Sequence, residues 1–94
     1  MKIINWNTEK SLSLKESRGI CFEDVVFYIE KGQILDDLVH PNQKDYPGLR
    51  IMVIDIGGYA YLVPYVESDE ELFLKTIIPS RKATKKYIGD KNER

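Results

Sequence analysis

Arg50-Ile51-Met52-Val53-Ile54-Asp55-Ile56-Gly57-Gly58-Tyr59-Ala60-Tyr61-Leu62-Val63-Pro64-Tyr65-Val66 is the stretch that decides the fold. Two runs rich in β-branched and aromatic residues flank Gly57-Gly58. A two-residue hairpin turn of either primed type needs residues that tolerate positive φ, which glycine does without steric cost. The spacing therefore predicts an antiparallel hairpin with strands over 50–56 and 59–66. Its register sets Ile56 against Tyr59, Ile54 against Tyr61, Met52 against Val63 and Arg50 against Tyr65. All of these share one sheet face, because side chains alternate along a strand.

On the C-terminal side, Glu67-Ser68-Asp69-Glu70-Glu71 reads as an acidic loop and Leu72–Ile78 as a third strand stopped by Pro79. The strand would add Leu72, Leu74, Thr76 and Ile78 to the broad apolar face that takes the helices. The opposite face carries Ile51, Val53, Asp55, Ala60, Leu62, Phe73, Lys75 and Ile77. It is too apolar for a fully solvated sheet, so it covers either a partner or the terminal helix. That helix is expected over 80–88 with Ser80 as its cap, followed by a charged tail at about 89–94.

On the N-terminal side, Lys2–Asn5 reads as a short edge strand. A helix over 8–17 is capped by Asn7 and ended by Gly19. A second helix is marked by Phe22, Val25, Val26 and Ile29 at i, i+3, i+4 and i+7, with Glu23 and Asp24 in its first turn and Gly32 closing it. A strand over 33–39 and a turn-rich loop over 41–48 lead back to the hairpin. The fold class is α+β: two N-terminal helices on a curved antiparallel sheet of about four strands, with a C-terminal helix.

The 94 residues suit a single domain spanning 1–94 with one modest core. Hydrophobic residues make up 43% and charged residues 31%, which fits neither a disordered nor a membrane chain. The longest apolar stretch, 59–66, is too short to span a bilayer, and the opening residues offer no apolar h-region or small-residue cleavage site, so export is not expected. A lone Cys21 and a lone His40 are too few for the usual zinc sites, so no metal or other cofactor is expected. Cys21, unable to pair internally, fits a reducing, cytoplasmic compartment. The formal net charge of −1 and pI near 5.8 do not advertise nucleic-acid binding. The charge is segregated, however: 67–71 is acidic and 81–86 is basic.

Three segments carry a family resemblance. Ile4-Asn5-Trp6-Asn7-Thr8-Glu9-Lys10 resembles a Trp-Asp/Asn-x-x-Lys opening. Gly19-Ile20-Cys21-Phe22-Glu23-Asp24-Val25 resembles Gly-Val-Ser-Phe-Glu-Glu-Ala. Ile77-Ile78-Pro79-Ser80-Arg81-Lys82-Ala83-Thr84 resembles Ile-Ile-Ser-Ala-Arg-Lys-Ala-Thr. Together they make the chain similar to the BrnT-type toxins, a branch of the RelE-like ribonuclease toxins of type II toxin–antitoxin systems, as a divergent member. The resemblance implies a metal-independent RNA endonuclease neutralised by a small DNA-binding antitoxin. RNA, including ribosome-associated mRNA, would be the substrate, and operator DNA would be contacted only through the antitoxin. No membrane is involved, and a homodimer stays open. The alternative is a catalytically silent interaction module on the same fold, holding an antitoxin-like partner.

Metal-free RNA cleavage needs a proton acceptor for the 2′-hydroxyl, cations on the phosphorane and a donor for the leaving 5′-oxygen. Arg81 is the first candidate phosphate contact, because its planar fork suits phosphate and it sits at a strand–helix junction whose amides can help hold an anion. Lys82, Arg50 and Arg18 complete the catalytic candidates; Arg18 stands where the family has a histidine. Lys10, Lys15, Lys75, Lys85, Lys86 and Tyr87 are the RNA-binding candidates. Each has a plainer reading: Arg81 as a solvated residue or partner of the acidic loop, the lysines as soluble helix faces, Arg50 as stacked on Tyr65, Tyr87 as a tether for the terminal helix. His40 reads as a structural loop residue. Cys21 reads as a small apolar residue at a helix start, a place that can lower a thiol pKa.

Overall fold

In a computed structural model that describes residues 2–89, the chain runs β1 (Ile3–Trp6), α1 (Thr8–Arg18), α2 (Phe22–Glu30), β2 (Ile34–Val39), β3 (Leu49–Ile56), β4 (Tyr59–Glu67), β5 (Glu71–Leu74), β6 (Ile78–Pro79) and α3 (Arg81–Ala83). A π-helical turn over Thr84–Ile88 continues α3. The class is α+β as expected. Residues 90–94, most of the expected charged tail, lie outside the described residues.

The β3–β4 hairpin has the predicted register, with Arg50 opposite Tyr65, Met52 opposite Val63, Ile54 opposite Tyr61 and Ile56 opposite Tyr59. Gly57 and Gly58 take φ of 63° and 89°, the left-handed values that the turn demands. The sheet order is β1-β5-β4-β3-β2, with β6 also on β4. Two expectations are corrected here. The described residues form six strands, not about four, and the sheet is not wholly antiparallel, since β1 runs parallel to β5. The crossover through α1, α2 and the hairpin is long enough to bring a parallel partner alongside β1.

The expected strand over 72–78 is also corrected. β5 ends at Leu74, opposite Tyr65, and β6 resumes with Ile78 opposite Leu62. That is four steps on one side against three on the other, so one extra residue bulges out. The break falls where Lys75 donates its N–H to the Pro64 carbonyl at 2.8 Å, and Pro64 has no N–H to return. A one-residue slip exchanges the two faces. Ile77 is therefore fully buried in the main core, and Ile78, expected there, is 40% exposed.

The main core lies between the sheet and the two N-terminal helices. It holds Phe22 and Val25 of α2, Leu14 of α1, and Met52, Ile54, Val63, Tyr65 and Leu74 of the sheet. Asn7 caps α1 by accepting from the Lys10 N–H at 2.9 Å, and Gly19 closes it at φ 74°. Ser11, buried on α1, joins the two helices: its hydroxyl accepts from the Phe22 N–H and donates to Glu23, both at 3.0 Å. At the start of α2, Asp24 accepts from the Cys21 N–H at 3.0 Å.

Candidate nucleic-acid interface

The basic segment begins where Pro79 ends β6. Ser80 donates its N–H to the Ala60 carbonyl at 3.0 Å, and its hydroxyl accepts from the Ala83 N–H at 3.0 Å. The Thr84 hydroxyl donates to the Ser80 carbonyl and accepts from the Ala60 N–H, both at 2.8 Å. This pins the start of the helical segment to β4. Its far end is pinned to β2, where the Tyr87 hydroxyl donates to Asp36 at 2.6 Å. Ala83 packs with Val53 and Ala60, flanked by Leu35, Leu62, Tyr87 and Ile88. The segment therefore crosses the strands on the sheet face away from α1 and α2. The second face takes the terminal helix over part of its area, one of the two coverings the sequence leaves open.

The candidate side chains fall into several groups. Lys82, Lys86 and Tyr87 line a groove of about 190 Å³ floored by Leu38, Val53 and Leu62. Arg81 does not line it. It stands roughly a quarter turn from Lys82 and shares a side of the helix with Lys85, four residues on. Arg81, Lys82, Lys85 and Lys86 are all exposed and, among the described residues, make no ion pair. Lys10 and Lys75 come together across a second groove of about 540 Å³ that also holds Phe73, with the Lys75 ammonium 5.4 Å from that ring's centre. Lys15 lies apart, in a groove of about 260 Å³ beside Leu12 and Cys21.

Arg18 and Arg50 are engaged within the fold. Arg18 donates to the Ile77 carbonyl and so ties the end of α1 to the bulge before β6. Arg50 Nε donates to the Tyr65 hydroxyl at 3.1 Å and to Asp37 at 3.3 Å, while the Tyr65 hydroxyl donates to Asp37 at 2.8 Å. Burial, then the bond to Asp37, pushes Tyr65 up to about 12. The Tyr65 bond and the Asp37 charge raise the Arg50 pKa and keep it charged. On the other face, the Tyr87 hydroxyl lowers the Asp36 pKa, and Asp36 in turn raises that of Tyr87.

Two expectations change on this geometry. The α3 amide at Ala83 is already taken by Ser80, and that at Thr84 donates to the Ser80 carbonyl at 3.0 Å, so these two do not wait for an anion. Burial, the largest effect on Cys21, raises its pKa and outweighs the lowering by the Asp24 N–H, with the Asp24 carboxylate adding to the rise, so its helix-start position does not yield a ready thiolate. His40 is a loop residue as read: its Nδ1 accepts from the Asn42 N–H at 3.0 Å and its ring lies 4.9 Å from Tyr46. Among the described residues, no group of three or more His, Cys, Asp and Glu is placed to hold a metal ion, and no helix is long and apolar enough to cross a membrane.

Asp36 and Asp37 are the residues that sequence reasoning missed. They are adjacent in β2, so one points to each sheet face, and each engages a candidate, Tyr87 or Arg50. The alternation rule places them once β2 is registered on β3, with Asp36 opposite Val53 and Asp37 opposite Met52.

No family model and no curated protein matches the chain. Among solved structures it is similar to the crystal structure of a histidine-to-glutamine mutant of YafQ from E. coli. The identity is 15%, over 88% of this chain and 98% of that one, with a TM-score of 0.49.

Proposed function

We propose that this chain is a metal-independent RNA endonuclease, the toxin of a type II toxin–antitoxin pair of the BrnT type, acting in the cytoplasm and neutralised by a small antitoxin. The observation that carries the reading is the run Arg81, Lys82, Lys85 and Lys86, exposed and without ion pairs among the described residues, on a segment fastened to the sheet at both ends. Fastening matters because a cation held in place stabilises developing charge without reorganising first. In the reaction the 2′-oxygen bonds to phosphorus and the P–O5′ bond breaks. The 2′-proton passes to a base, the 5′-oxygen receives a proton, and a cyclic phosphate and a 5′-hydroxyl result. Arg81 and Lys85 would hold the non-bridging oxygens, with Lys82 and Lys86 on the flanking phosphates. Lys10 and Lys75, across their own groove, would guide the strand.

A second reading, a catalytically silent module, is favoured by one specific observation. Arg18, Arg50, the Tyr87 hydroxyl and His40 Nδ1 all have partners within the fold. Expression in a bacterial host, with purified RNA cleavage assayed in excess chelator, separates the two. The first reading expects growth arrest and chelator-resistant cleavage, with Arg81→Ala slowing cleavage about 100-fold, the usual cost of one stabilising donor, at an unchanged melting temperature. Wild type that neither arrests growth nor cuts RNA leaves the silent module.

A further inference from the structure

At the end where β4 turns into β5, the helix-bearing face of the sheet opens into a pocket of about 380 Å³, lined by strand ends and loops. Val39 and Arg50, paired across β2 and β3, form its floor. Glu67 stands two residues past Tyr65, the partner of Arg50, a diagonal placement that sets the two side chains about 7–8 Å apart. Lys2 reaches over to donate its ammonium to Glu67, and Asp69 in the β4–β5 turn completes the far wall. The pocket thus holds two cations and two carboxylates, interleaved rather than segregated.

Floor and walls are fastened from behind. The Gln43 amide donates to the His40 and Leu49 carbonyls at 2.9 and 3.0 Å, and its oxygen accepts from the Gly48 N–H at 3.1 Å, which knits the β2–β3 loop. Ser68 and Glu71 close the β4–β5 turn, the Ser68 N–H donating to the Glu71 carbonyl at 2.9 Å and the Glu71 N–H to the Ser68 hydroxyl at 3.2 Å. Groups positioned in advance lose less ordering entropy when a ligand arrives. Among the described residues Arg50 donates only through Nε, to Tyr65 and Asp37, so the terminal nitrogens of its fork are open. Asp69, by the same measure, makes no ion pair. The bond from Lys2 holds the Glu67 carboxyl below the usual range, and Arg50 adds a weaker pull. Val39, 53% exposed, supplies an apolar wall, and Gly48 brings no side chain into the space.

We propose that this pocket binds a free α-amino acid with an aliphatic side chain, its carboxylate on the Arg50 fork, its ammonium between Glu67 and Asp69, and its side chain against Val39. The unspent groups select that class. A planar fork takes a carboxylate bidentately, and an open carboxylate takes an ammonium. A phosphate dianion would meet Glu67 and Asp69 as like charges, and a polyamine would meet Arg50 and Lys2, so a ligand of one sign is disfavoured on either count. Arg50 shares its face with Met52 and Ile54 of the main core, whereas the basic terminal segment crosses the opposite face. The amino acid would therefore not compete with RNA. The inference holds whether or not the chain cuts RNA, so failure of the cleavage assay does not touch it.

The test titrates the isotope-labelled full chain with three probes and reads amide shifts by NMR: L-leucine, L-leucinamide, which lacks the carboxylate, and N-acetyl-L-leucine, which lacks the ammonium. L-leucine should bind with a Kd of about 1 mM or tighter, moving the amides of Val39, Gly48 and Ser68 most, and each one-sided probe should bind at least about tenfold more weakly. Asp69→Asn should weaken L-leucine at least about tenfold, and Arg50→Lys, which keeps the charge but loses the planar fork, should do the same. Melting curves verify that both variants fold. Asp69 is an exposed turn residue, so its variant keeps the test decisive even if Arg50→Lys unfolds. Absence of L-leucine binding up to about 10 mM, or binding indifferent to Asp69→Asn, overturns the proposal. Either one-sided probe binding as tightly as L-leucine means that one charge suffices, and overturns it too.

Discussion

Asp37 accepts from both the Tyr65 hydroxyl and the Arg50 guanidinium, and so joins β2 to β3 and β4. Tyr65 is only 3% exposed, and its pKa is pushed up to about 12 from 10.0, chiefly by burial. A raised pKa means that the folded state holds the phenolic proton more tightly than the unfolded chain does. The contribution is complete below pH 10 and is lost as pH rises through about 12. Tyr65→Phe removes both the hydroxyl and this dependence. At neutral pH the variant should be about 1 kcal/mol less stable, the net worth of a hydrogen bond to a charged acceptor set against retained ring burial. Above pH 10 the gap between wild type and variant should narrow. Urea unfolding across that range measures it, and a gap constant with pH would mean that the hydroxyl titrates normally. Arg50 is thus an element of a structural cluster as well as a cation; the hairpin register set it beside Tyr65, but nothing local disclosed Asp37.

At the scale of elements, what the sequence exposes depends on whether a rule is local. The hairpin was legible because Gly57-Gly58 needs nothing outside itself to specify a turn, and the turn then fixes eight strand pairings by alternation alone. The helix ends were legible for the same reason: Asn7, Gly19 and Ser80 act on neighbours within four residues. The break in the last strand was not, because its cause is Pro64, on a different strand and eleven residues away from Lys75. Nor was the link between α1 and α2. Ser11 gives no sign in a weakly amphipathic helix that its hydroxyl holds the first amide of the next one. Ser11→Ala leaves the Phe22 N–H, on a fully buried residue, without its partner. The expected cost is about 2 kcal/mol, within the range for an orphaned buried donor. Glu23→Ala takes the acceptor from the Ser11 hydroxyl but leaves the hydroxyl–amide bond in place, so it should lower the urea midpoint by less than Ser11→Ala does. Equal losses from the two would place the joint in the ion rather than in the hydroxyl–amide bond.

On the scale of the whole molecule, β4 separates two fields of opposite sign. The terminal basic segment is fastened at Ala60, and the acidic turn begins at Glu67, seven residues further along the strand. At about 3.4 Å per residue that is roughly 24 Å, more than two Debye lengths at physiological salt. The segregation was plain in the sequence, but the splitting of the cations into an Arg81–Lys85 pair and a groove-lining Lys82–Lys86 pair depends on the helix resting across the strands. A net charge of −1 therefore says little about RNA binding, because at such salt an RNA on the basic segment is screened from the acidic turn. If the four cations each neutralise a phosphate, the logarithm of the binding constant should fall with the logarithm of salt at a slope of roughly −3, from about 0.7 per contact on single strands. Arg81→Ala/Lys85→Ala should reduce that slope by about 1.4, the share of two contacts. Neutralising the acidic turn with Asp69→Asn/Glu70→Gln raises the net charge to about +1 yet should leave the slope unchanged, since it adds no phosphate contact. A slope that follows net charge in both variants would mean diffuse attraction by the whole protein. A slope that follows only the Arg81–Lys85 pair would locate the phosphate track on one side of the terminal helix, the side turned away from the groove over Leu38.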